Sequence, residues 1–269
     1  FYRAGGMPAV ARELIEAGRI HTGAMTVSGQ TIGENYSEVP PPDREVIFAY
    51  DKPMQEQAGF LVLSGNLFDG ALIKTCVISD SFRERYLSAP GEENCFTVRA
   101  VVFEGPEDYH ARIDDPALEI DDRCMLVVRG CGPVGYPGSA EVVNMQPPAA
   151  LIKQGIRTLP TLGDGRQSGT AASPSILNVS PESATGGNLA LLQTGDEICV
   201  DLNQCTVELL VDKAEMAKRR EEYKASDLEH QTPWQELYRA NVGQLSTGGC
   251  LELATKYHCV SKCIARHNH

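Results

Sequence analysis

Residues 163–170, with the sequence GDGRQSGT, hold the side chains of this chain that are best suited to chemistry. They present Arg166, Ser168 and Thr170, a cation and two hydroxyls, among three glycines. Glycine lets the backbone adopt positive φ angles and approach a ligand closely. Such a loop could bind an oxyanion, could present Ser168 as a nucleophile or base, or could be only a glycine-rich surface connection.

A second glycine-rich segment, GCGPVGYPGSAE at 130–141, has the same organisation. An apolar strand is predicted before it, and a helix is predicted over 139–154 that Pro147 and Pro148 must break or restart. Glu141 would lie in the first turn of this helix, where the helix dipole favours a carboxylate without any metal. Because both loops follow predicted strands and end in polar residues, they suggest one shared site.

The longest motifs of the chain point to one family. They are GCGPVGYPGSAEV at 130–142, GDGRQSGT with SPSILNVSPESATGG at 163–187, and SGNLFDGALIK at 64–74, and the closing ARHNH at 265–269 agrees with them. Together they resemble the dihydroxy-acid and phosphogluconate dehydratases, and most closely the sugar-acid branch, the arabinonate and xylonate dehydratases. The resemblance covers nearly the whole chain, but only about the second half of such an enzyme.

The resemblance implies a hydro-lyase that removes water from a 2,3-dihydroxy acid to give a 2-keto-3-deoxy acid. It implies that Ser168, as an alkoxide, is the catalytic base, and that Glu141 is a ligand of Mg²⁺. A free serine is far too weak an acid for this role, so nearby divalent charge would have to lower its pKa. Thr170 would hydrogen-bond the substrate or orient Ser168, and His267, in the tail, is a further implied substrate contact.

Each assignment has a structural alternative. Ser168 could cap a turn, Glu141 could be only a first-turn carboxylate, and His267 could belong to a frayed tail. Arg166 could equally be a structural anchor of its loop or a clamp on the substrate.

The resemblance also implies cofactors and partners. Mg²⁺ would take one ligand from this chain, and a 2Fe-2S cluster would take its ligands from the N-terminal half of the enzyme. The implied partners are a sugar acid, that N-terminal half, and further copies in a homodimer or tetramer. We therefore expect the isolated chain to bind no cluster and to be inactive. The alternatives are a dihydroxy-acid dehydratase of branched-chain amino-acid synthesis or, if the chain is complete, a non-catalytic module that binds a small anion.

Composition limits the function further. The net charge of −12 argues against a nucleic-acid partner, and no apolar run approaches the roughly 20 residues that span a bilayer. The nine cysteines are odd in number and form no C-x-x-C motif, which favours reduced core thiols in the cytoplasm. Cys131 is the exception because it lies in a glycine-rich loop. His258, Cys259 and Cys263 could bind a metal, but incidental residues of a C-terminal helix are the preferred interpretation.

The predicted fold is α/β. The resemblance implies a swivelling β/β/α domain, a barrel-like mixed sheet with surrounding helices. The predicted domains are 1–45, the tail end of a cluster-binding domain plus a linker, and 46–269, the swivelling domain. A helix is predicted over 8–17, and little regular structure over 22–42. Strands are predicted at 46–49, 60–64, 71–78, 97–103, 124–129, 156–161, 196–201 and 206–211.

Overall fold

The computed structural model describes residues 1–54, 59–139, 141, 145–166, 174–225 and 228–257. It divides the chain into two compact units, Phe1–Ala58 and Gly59–His269. The assignment of 1–45 to the end of a cluster-binding domain stays a prediction.

The first unit contains two α-helices among its described residues, α1 (Gly6–Glu16) and α2 (Ile32–Tyr36). The predicted helix at 8–17 is therefore confirmed. The short α2 lies within 22–42, the stretch for which little regular structure was predicted. It begins at a reciprocal cap, in which Thr31 Oγ1 accepts from Glu34 N at 3.2 Å and Glu34 Oε2 accepts from Thr31 N at 2.7 Å.

The predicted strand at 46–49 is wrong, since these residues form turns and irregular backbone. Ile47 instead packs with Ala4 and Ala9 in the small apolar core of the first unit. A short apolar run is an ambiguous signal because a core contact from a loop produces the same pattern as a strand.

The second unit is built around one mixed sheet of eight strands among its described residues, in the order β1-β2-β6-β5-β4-β3-β7-β8. The strands are β1 (Phe60–Leu63), β2 (Gly70–Lys74), β3 (Cys95–Glu104), β4 (Cys124–Arg129), β5 (Thr161–Gly163), β6 (Ser175–Ser180), β7 (Glu197–Asp201) and β8 (Thr206–Leu209). The four central strands β3 to β6 run parallel to one another, and the other strand pairings are antiparallel.

The two edges of this sheet meet. Directly after β1, Ser64 forms a bridge with Thr206 of β8, with Ser64 N donating to Cys205 O at 3.1 Å and Val207 N donating to Ser64 O at 2.9 Å. A Cβ atom on Gly65 would lie 1.9 Å from Val207 O, so only glycine permits this approach. The sheet is thus nearly closed into a barrel.

Helices surround the sheet: α3 (Asp80–Phe82), α4 (Pro106–Arg112), α5 (Ala149–Lys153), α6 (Lys213–Glu222) and α7 (Pro233–Asn241). Side-chain caps begin the last two, because Asp212 accepts from Glu215 N at 2.9 Å and Thr232 accepts from Gln235 N at 3.1 Å. Among the described residues, every helix is too short or too polar to cross a bilayer. The predicted α/β fold, a barrel-like mixed sheet with surrounding helices, is confirmed.

Two apolar cores lie on the two faces of the central strands. The inner core draws on all eight strands and takes every second residue of β3 and β4: Val98, Ala100, Val102, Met125 and Val127. The residues between them form the outer core: Val101, Phe103, Cys124, Leu126 and Val128. Tyr109 of α4 and Leu151 of α5 cover this outer core. Both faces of β3 and β4 are therefore covered.

Several boundaries differ from prediction. The strand predicted at 156–161 is β5, which begins only at Thr161, directly after Pro160. The strand β6 was missed. The helix predicted over 139–154 is wrong over its described N-terminal part, since Ser139 lies in a bend and Glu141 forms an isolated bridge. Among the described residues of this stretch, the helical part is α5, which begins just after Pro148.

Candidate functional site at the carboxyl edge of the parallel strands

The parallel strands place several loops at one edge of the barrel. β3, β4, β5 and β6 all run in the same direction, so the segments that follow them begin at the same edge. The two glycine-rich segments follow β4 and β5. In parallel sheets and barrels, ligands bind outside the carboxyl ends of the strands. The fold thus brings the two predicted loops to the place where a site is expected.

An isolated parallel bridge joins these loops directly. It pairs Glu141 of the first loop with Arg166 of the second. Arg166 Nε also donates a hydrogen bond to the carbonyl oxygen of Ser139. Arg166 is therefore an anchor between the two loops, which is one of its two predicted roles.

Glu141 does not lie in the first turn of a helix, so that alternative is wrong. Its backbone belongs to the bridge and its side chain is exposed. A carboxylate held in extended backbone gains nothing from a helix dipole, which acts within the first turn. Glu141 is thus free of that structural role.

The other predicted site residues, Ser168, Thr170 and His267, lie outside the described residues, as do His258, Cys259 and Cys263. In the sequence, Ser168 stands two positions after Arg166. The described part of the site is therefore the pair Glu141 and Arg166 with the loop that precedes each of them.

Asp164 is a fully buried carboxylate beneath the first loop. Its Oδ1 accepts from Cys131 N at 2.8 Å, and its Oδ2 accepts from Gly130 N at 3.1 Å. Ser183, which follows β6, donates to Oδ2 from its backbone N at 3.0 Å and from its hydroxyl at 2.6 Å. One side chain thus ties together the segments that follow β4, β5 and β6.

Glu182 is a second fully buried carboxylate under the same loop. Its Oε1 accepts from Val134 N at 2.9 Å and its Oε2 accepts from Gly135 N at 3.0 Å. Gln244 donates to Oε1 at 2.8 Å through Nε2, and its Oε1 accepts from Glu182 N at 2.7 Å. Burial raises the pKa of Glu182 above its usual value, while these three donors oppose the rise. The chain beyond α7 is thereby fastened to the first loop.

The glycines of the first loop are required by this close packing. A Cβ atom on Gly132 would lie 2.3 Å from Glu182 Oε2, and one on Gly135 would lie 2.2 Å from Gly130 O. Neither position has room for a side chain. The glycines of this segment therefore bring the backbone against buried carboxylates, which explains their spacing without a ligand.

Cys131, the cysteine to which the sequence drew attention, is fully buried. Burial, reinforced by the nearby charges of Asp164, Glu107 and Glu182, raises the pKa of its thiol to about 12. The reactive form of a cysteine is the thiolate, so the raised pKa makes Cys131 a poor nucleophile. Its thiol donates to Arg129 O at 3.7 Å and fills space beneath the loop.

The other described cysteines are free thiols. Cys124 is buried as predicted, but Cys76 is exposed, so the prediction of core cysteines fails there. The described residues contain no group of three or more His, Cys, Asp or Glu side chains placed to hold a metal ion.

A cavity of about 400 Å³ adjoins the first loop and is lined in part by Gly130, Tyr136 and Ser183. Glu104 and Arg129 also line it, but the Arg129 guanidinium is already committed. Its Nε lies 3.0 Å from Glu104 Oε1, and its Nη1 donates to three carbonyl oxygens near α6. The cavity is large enough for a small ligand, but this guanidinium is not available to an anion.

Asp164, Glu182 and Gln244 were missed by sequence reasoning. The available signals were an aspartate enclosed by two glycines at 163–165 and a glutamate directly after Pro181. Polar residues in glycine-rich segments are usually exposed, so neither pattern indicates burial.

The second unit thus combines a barrel-like mixed sheet with two bridged loops at the carboxyl ends of its parallel strands. Residues 45–249 match the family described as dihydroxy-acid/6-phosphogluconate dehydratase, C-terminal. The chain belongs to this family.

Individual relatives agree with that assignment. The chain is 59% identical over 269 residues to a D-xylonate dehydratase of Caulobacter vibrioides, with 100% of the chain and 45% of that protein covered. It is 36% identical over 270 residues to an L-arabinonate dehydratase of Rhizobium leguminosarum bv. trifolii, with 100% and 44% covered. A dihydroxy-acid dehydratase of Ignicoccus hospitalis is 39% identical over 224 residues, with 82% and 38% covered. The chain spans less than half the length of these relatives.

Proposed function

We propose that this chain is the C-terminal part of a sugar-acid dehydratase. The enzyme would remove water from a 2,3-dihydroxy aldonate to give a 2-keto-3-deoxy acid. The observation that carries the proposal is the bridge between Glu141 and Arg166. It joins the two glycine-rich loops, in a family whose named relatives are dehydratases.

The choice of a sugar acid rests on the relatives. The D-xylonate dehydratase matches at 59% identity over the whole chain. The dihydroxy-acid dehydratases match at 31–39%. A dihydroxy-acid substrate from branched-chain amino-acid synthesis is therefore the second candidate.

The proposed proton transfer belongs to Ser168. As an alkoxide it would take the proton from carbon 2, hydroxide would leave carbon 3, and the resulting enol would tautomerise to the 2-keto acid. The proton and the hydroxide together make up the water that is lost. Thr170 would hydrogen-bond the substrate, with His267 as a further contact, and Arg166 would keep the loop of Ser168 against that of Glu141.

Glu141 fits the proposed magnesium ligand. Its carboxylate is exposed beside the second loop, and Mg²⁺ prefers hard oxygen donors, usually only one or two carboxylates with water and substrate oxygens. A bound Mg²⁺ would supply positive charge to the substrate carboxylate and to the developing enolate. The remaining ligands would come from the N-terminal half.

The described cysteines do not fit a 2Fe-2S cluster. They form no group of ligands, and Cys131 lies fully buried beneath the first loop. As the family resemblance implies, we place the cluster ligands in the N-terminal half. That half and further copies in a homodimer or tetramer are the proposed partners, and the cytoplasm is the proposed location.

The test uses a full-length enzyme that contains this chain, supplied with iron, sulfide and Mg²⁺. A panel of pentonates, hexonates and a branched-chain 2,3-dihydroxy acid is assayed for 2-keto acid product. We expect an aldonate to give the highest kcat/KM. Preference for the branched-chain acid would favour the second candidate, and absence of product from every acid would contradict both.

A second experiment, on the isolated chain, tests the proposal that the cluster ligands lie in the N-terminal half. Iron and sulfide analysis of the isolated chain should find no cluster, and the isolated chain should not turn over an aldonate. A stoichiometric cluster with dehydratase activity in the isolated chain would contradict this proposal.

A further inference from the structure

We propose that Asp164 and Glu182 are positioning residues that hold Glu141 in place beside the second loop. This inference rests on the proposed function for its kinetic consequences. Both carboxylates are fully buried and act through the backbone of the first loop rather than on a substrate.

Asp164 is suited to this role because its partners are all donors. It accepts four hydrogen bonds, from Gly130 N, Cys131 N and both donors of Ser183. The Ser183 hydroxyl also accepts from Gly130 N at 2.8 Å. An ionised carboxylate accepts hydrogen bonds and donates none. An asparagine in its place would turn its NH₂ group towards one of these donors.

A continuous series of contacts leads from Asp164 to Glu141. Asp164 holds Cys131 N, and Cys131 O in turn accepts from Ser139 N at 3.1 Å. Ser139 O accepts from Arg166 Nε, and Arg166 pairs with Glu141 in the bridge. A shift of the first loop would therefore move the carboxylate proposed to bind Mg²⁺.

The backbone of Ser139, in the middle of this series, has a constrained conformation. Its φ is +59°, in the left-handed region that residues other than glycine seldom adopt. Its buried hydroxyl has no hydrogen-bond partner among the described residues. A residue in such a conformation persists only where its surroundings impose it, and the surroundings here are the loop that the two carboxylates hold.

Glu182 also holds the segment that follows α7. Its reciprocal pair with Gln244 fixes the chain just after α7, and Ser246 N donates to Ser180 Oγ at 3.1 Å. The segment that leads towards the C-terminus is therefore fixed to the first loop at the same edge.

The experiment compares Asp164→Asn, Glu182→Gln and Ser183→Ala with the control Asp108→Asn in the full-length, cofactor-loaded enzyme. Asp108 also accepts from a backbone N and pairs with an arginine, Arg112, but it has no contact with either loop among the described hydrogen bonds. We expect Asp164→Asn and Glu182→Gln to lower kcat and kcat/KM together by about 100-fold, because a displacement of about 1 Å costs that much. Ser183→Ala should lower both by about 10-fold, and Asp108→Asn should leave them unchanged.

Hydrogen exchange supplies a second readout that does not depend on activity. Peptides covering 130–139 should exchange at least about 10-fold faster in Asp164→Asn, while peptides from β7 and β8 keep their wild-type rates. Wild-type kcat in both carboxylate variants, or an equal fall in Asp108→Asn, would overturn the proposal. If Asp164→Asn fails to fold, Ser183→Ala keeps the test decisive, and unchanged kinetics and exchange in it would also count against the proposal.

The two proposals fail in different ways. If the wild-type enzyme dehydrates no acid, the proposed function fails, while the exchange measurement still tests how the loop is held. If the wild type is active and the carboxylate variants match it, only the positioning role fails.

Discussion

The two halves of the barrel differ in how their strands are connected. In the antiparallel half, four residues join β7 to β8 and six join β1 to β2. In the parallel half, each strand is followed by a longer segment, because a parallel connection must return to the start of the next strand. These longer segments contain both glycine-rich loops, so the parallel half carries the candidate site.

Burial differs in the same way. Cys124 to Val128 of β4 are all 0% exposed, whereas Phe60 and Val62 of β1 are 58% and 65% exposed. A strand covered on both faces holds its carboxyl end more firmly than a strand with one face in water. The two loops of the candidate site therefore follow strands that are buried on both faces.

The largest expected difference in stability between the two halves is between alanine substitutions at two glycines. Gly135→Ala would put a Cβ atom 2.2 Å from Gly130 O, whereas Gly70→Ala in β2 meets no atom within 4 Å. We expect Gly135→Ala to lower the free energy of unfolding by about 3 kcal/mol or more, and Gly70→Ala to change it by less than about 0.5 kcal/mol. Urea unfolding followed by circular dichroism measures both, and equal effects would remove the distinction between the halves.

Core truncation is the next test. Leu126→Ala in β4 should cost about 2–5 kcal/mol because the side chain is fully buried. Val62→Ala on the exposed face of β1 should cost less than about 0.5 kcal/mol. Thermal unfolding of the two variants gives the comparison, and a Val62→Ala loss as large as that of Leu126→Ala would show that β1 has a covered outer face.

A smaller effect is expected at the start of α6, which follows the antiparallel strand β8. Asp212 caps two backbone N–H groups there, so Asp212→Ala should lower stability by about 1 kcal/mol. Asp212→Asn should retain most of it, since asparagine is an equally good cap. Unfolding midpoints of the two variants check this, and equal losses would show that the charge, not the cap, matters.

The smallest effect is a pH dependence. Burial raises the pKa of Glu182 in the folded protein, so the folded state binds more protons than the unfolded one. Its contribution is therefore fully present below the unfolded pKa of about 4.3 and is lost as the pH rises through the folded value. The pH dependence of the Asp108 contribution has the opposite sign. The hydrogen bond that Asp108 accepts from Arg112 lowers its pKa, so its contribution to stability is lost as the pH falls.

Urea unfolding of the wild type, Glu182→Gln and Asp108→Asn across a pH series distinguishes these two pH dependences. The wild-type advantage over Glu182→Gln should shrink with rising pH, by less than about 1.4 kcal/mol per pH unit. The advantage over Asp108→Asn should grow. Parallel curves for the wild type and Glu182→Gln would contradict the raised pKa.

Much of the fold could be predicted where one local signal dominates. The apolar runs of β3 and β4 and the caps at Asp212 and Thr232 are signals of this kind. β6 was missed because Asn178 and the serines at its ends interrupt its apolar pattern, and pairing with β5 and β2 compensates for them. That compensation is long-range, and a local pattern does not contain it.

The candidate site was predictable only in part. The glycine spacing indicated two loops and one shared edge, and the bridge between Glu141 and Arg166 agrees with this. The buried carboxylates Asp164 and Glu182 could not be predicted, because their partners are backbone N–H groups from other segments. Backbone donors are present at almost every residue, so the sequence does not mark which of them a carboxylate will meet.

The most direct test of the central claim is the turnover of Ser168→Ala in the full-length, cluster- and Mg²⁺-loaded enzyme with its preferred aldonate. If Ser168 is the base at this edge, kcat should fall by at least about 100-fold while the iron and sulfide content stays at the wild-type level. Turnover within a few-fold of the wild type, at unchanged cluster content, would contradict the account.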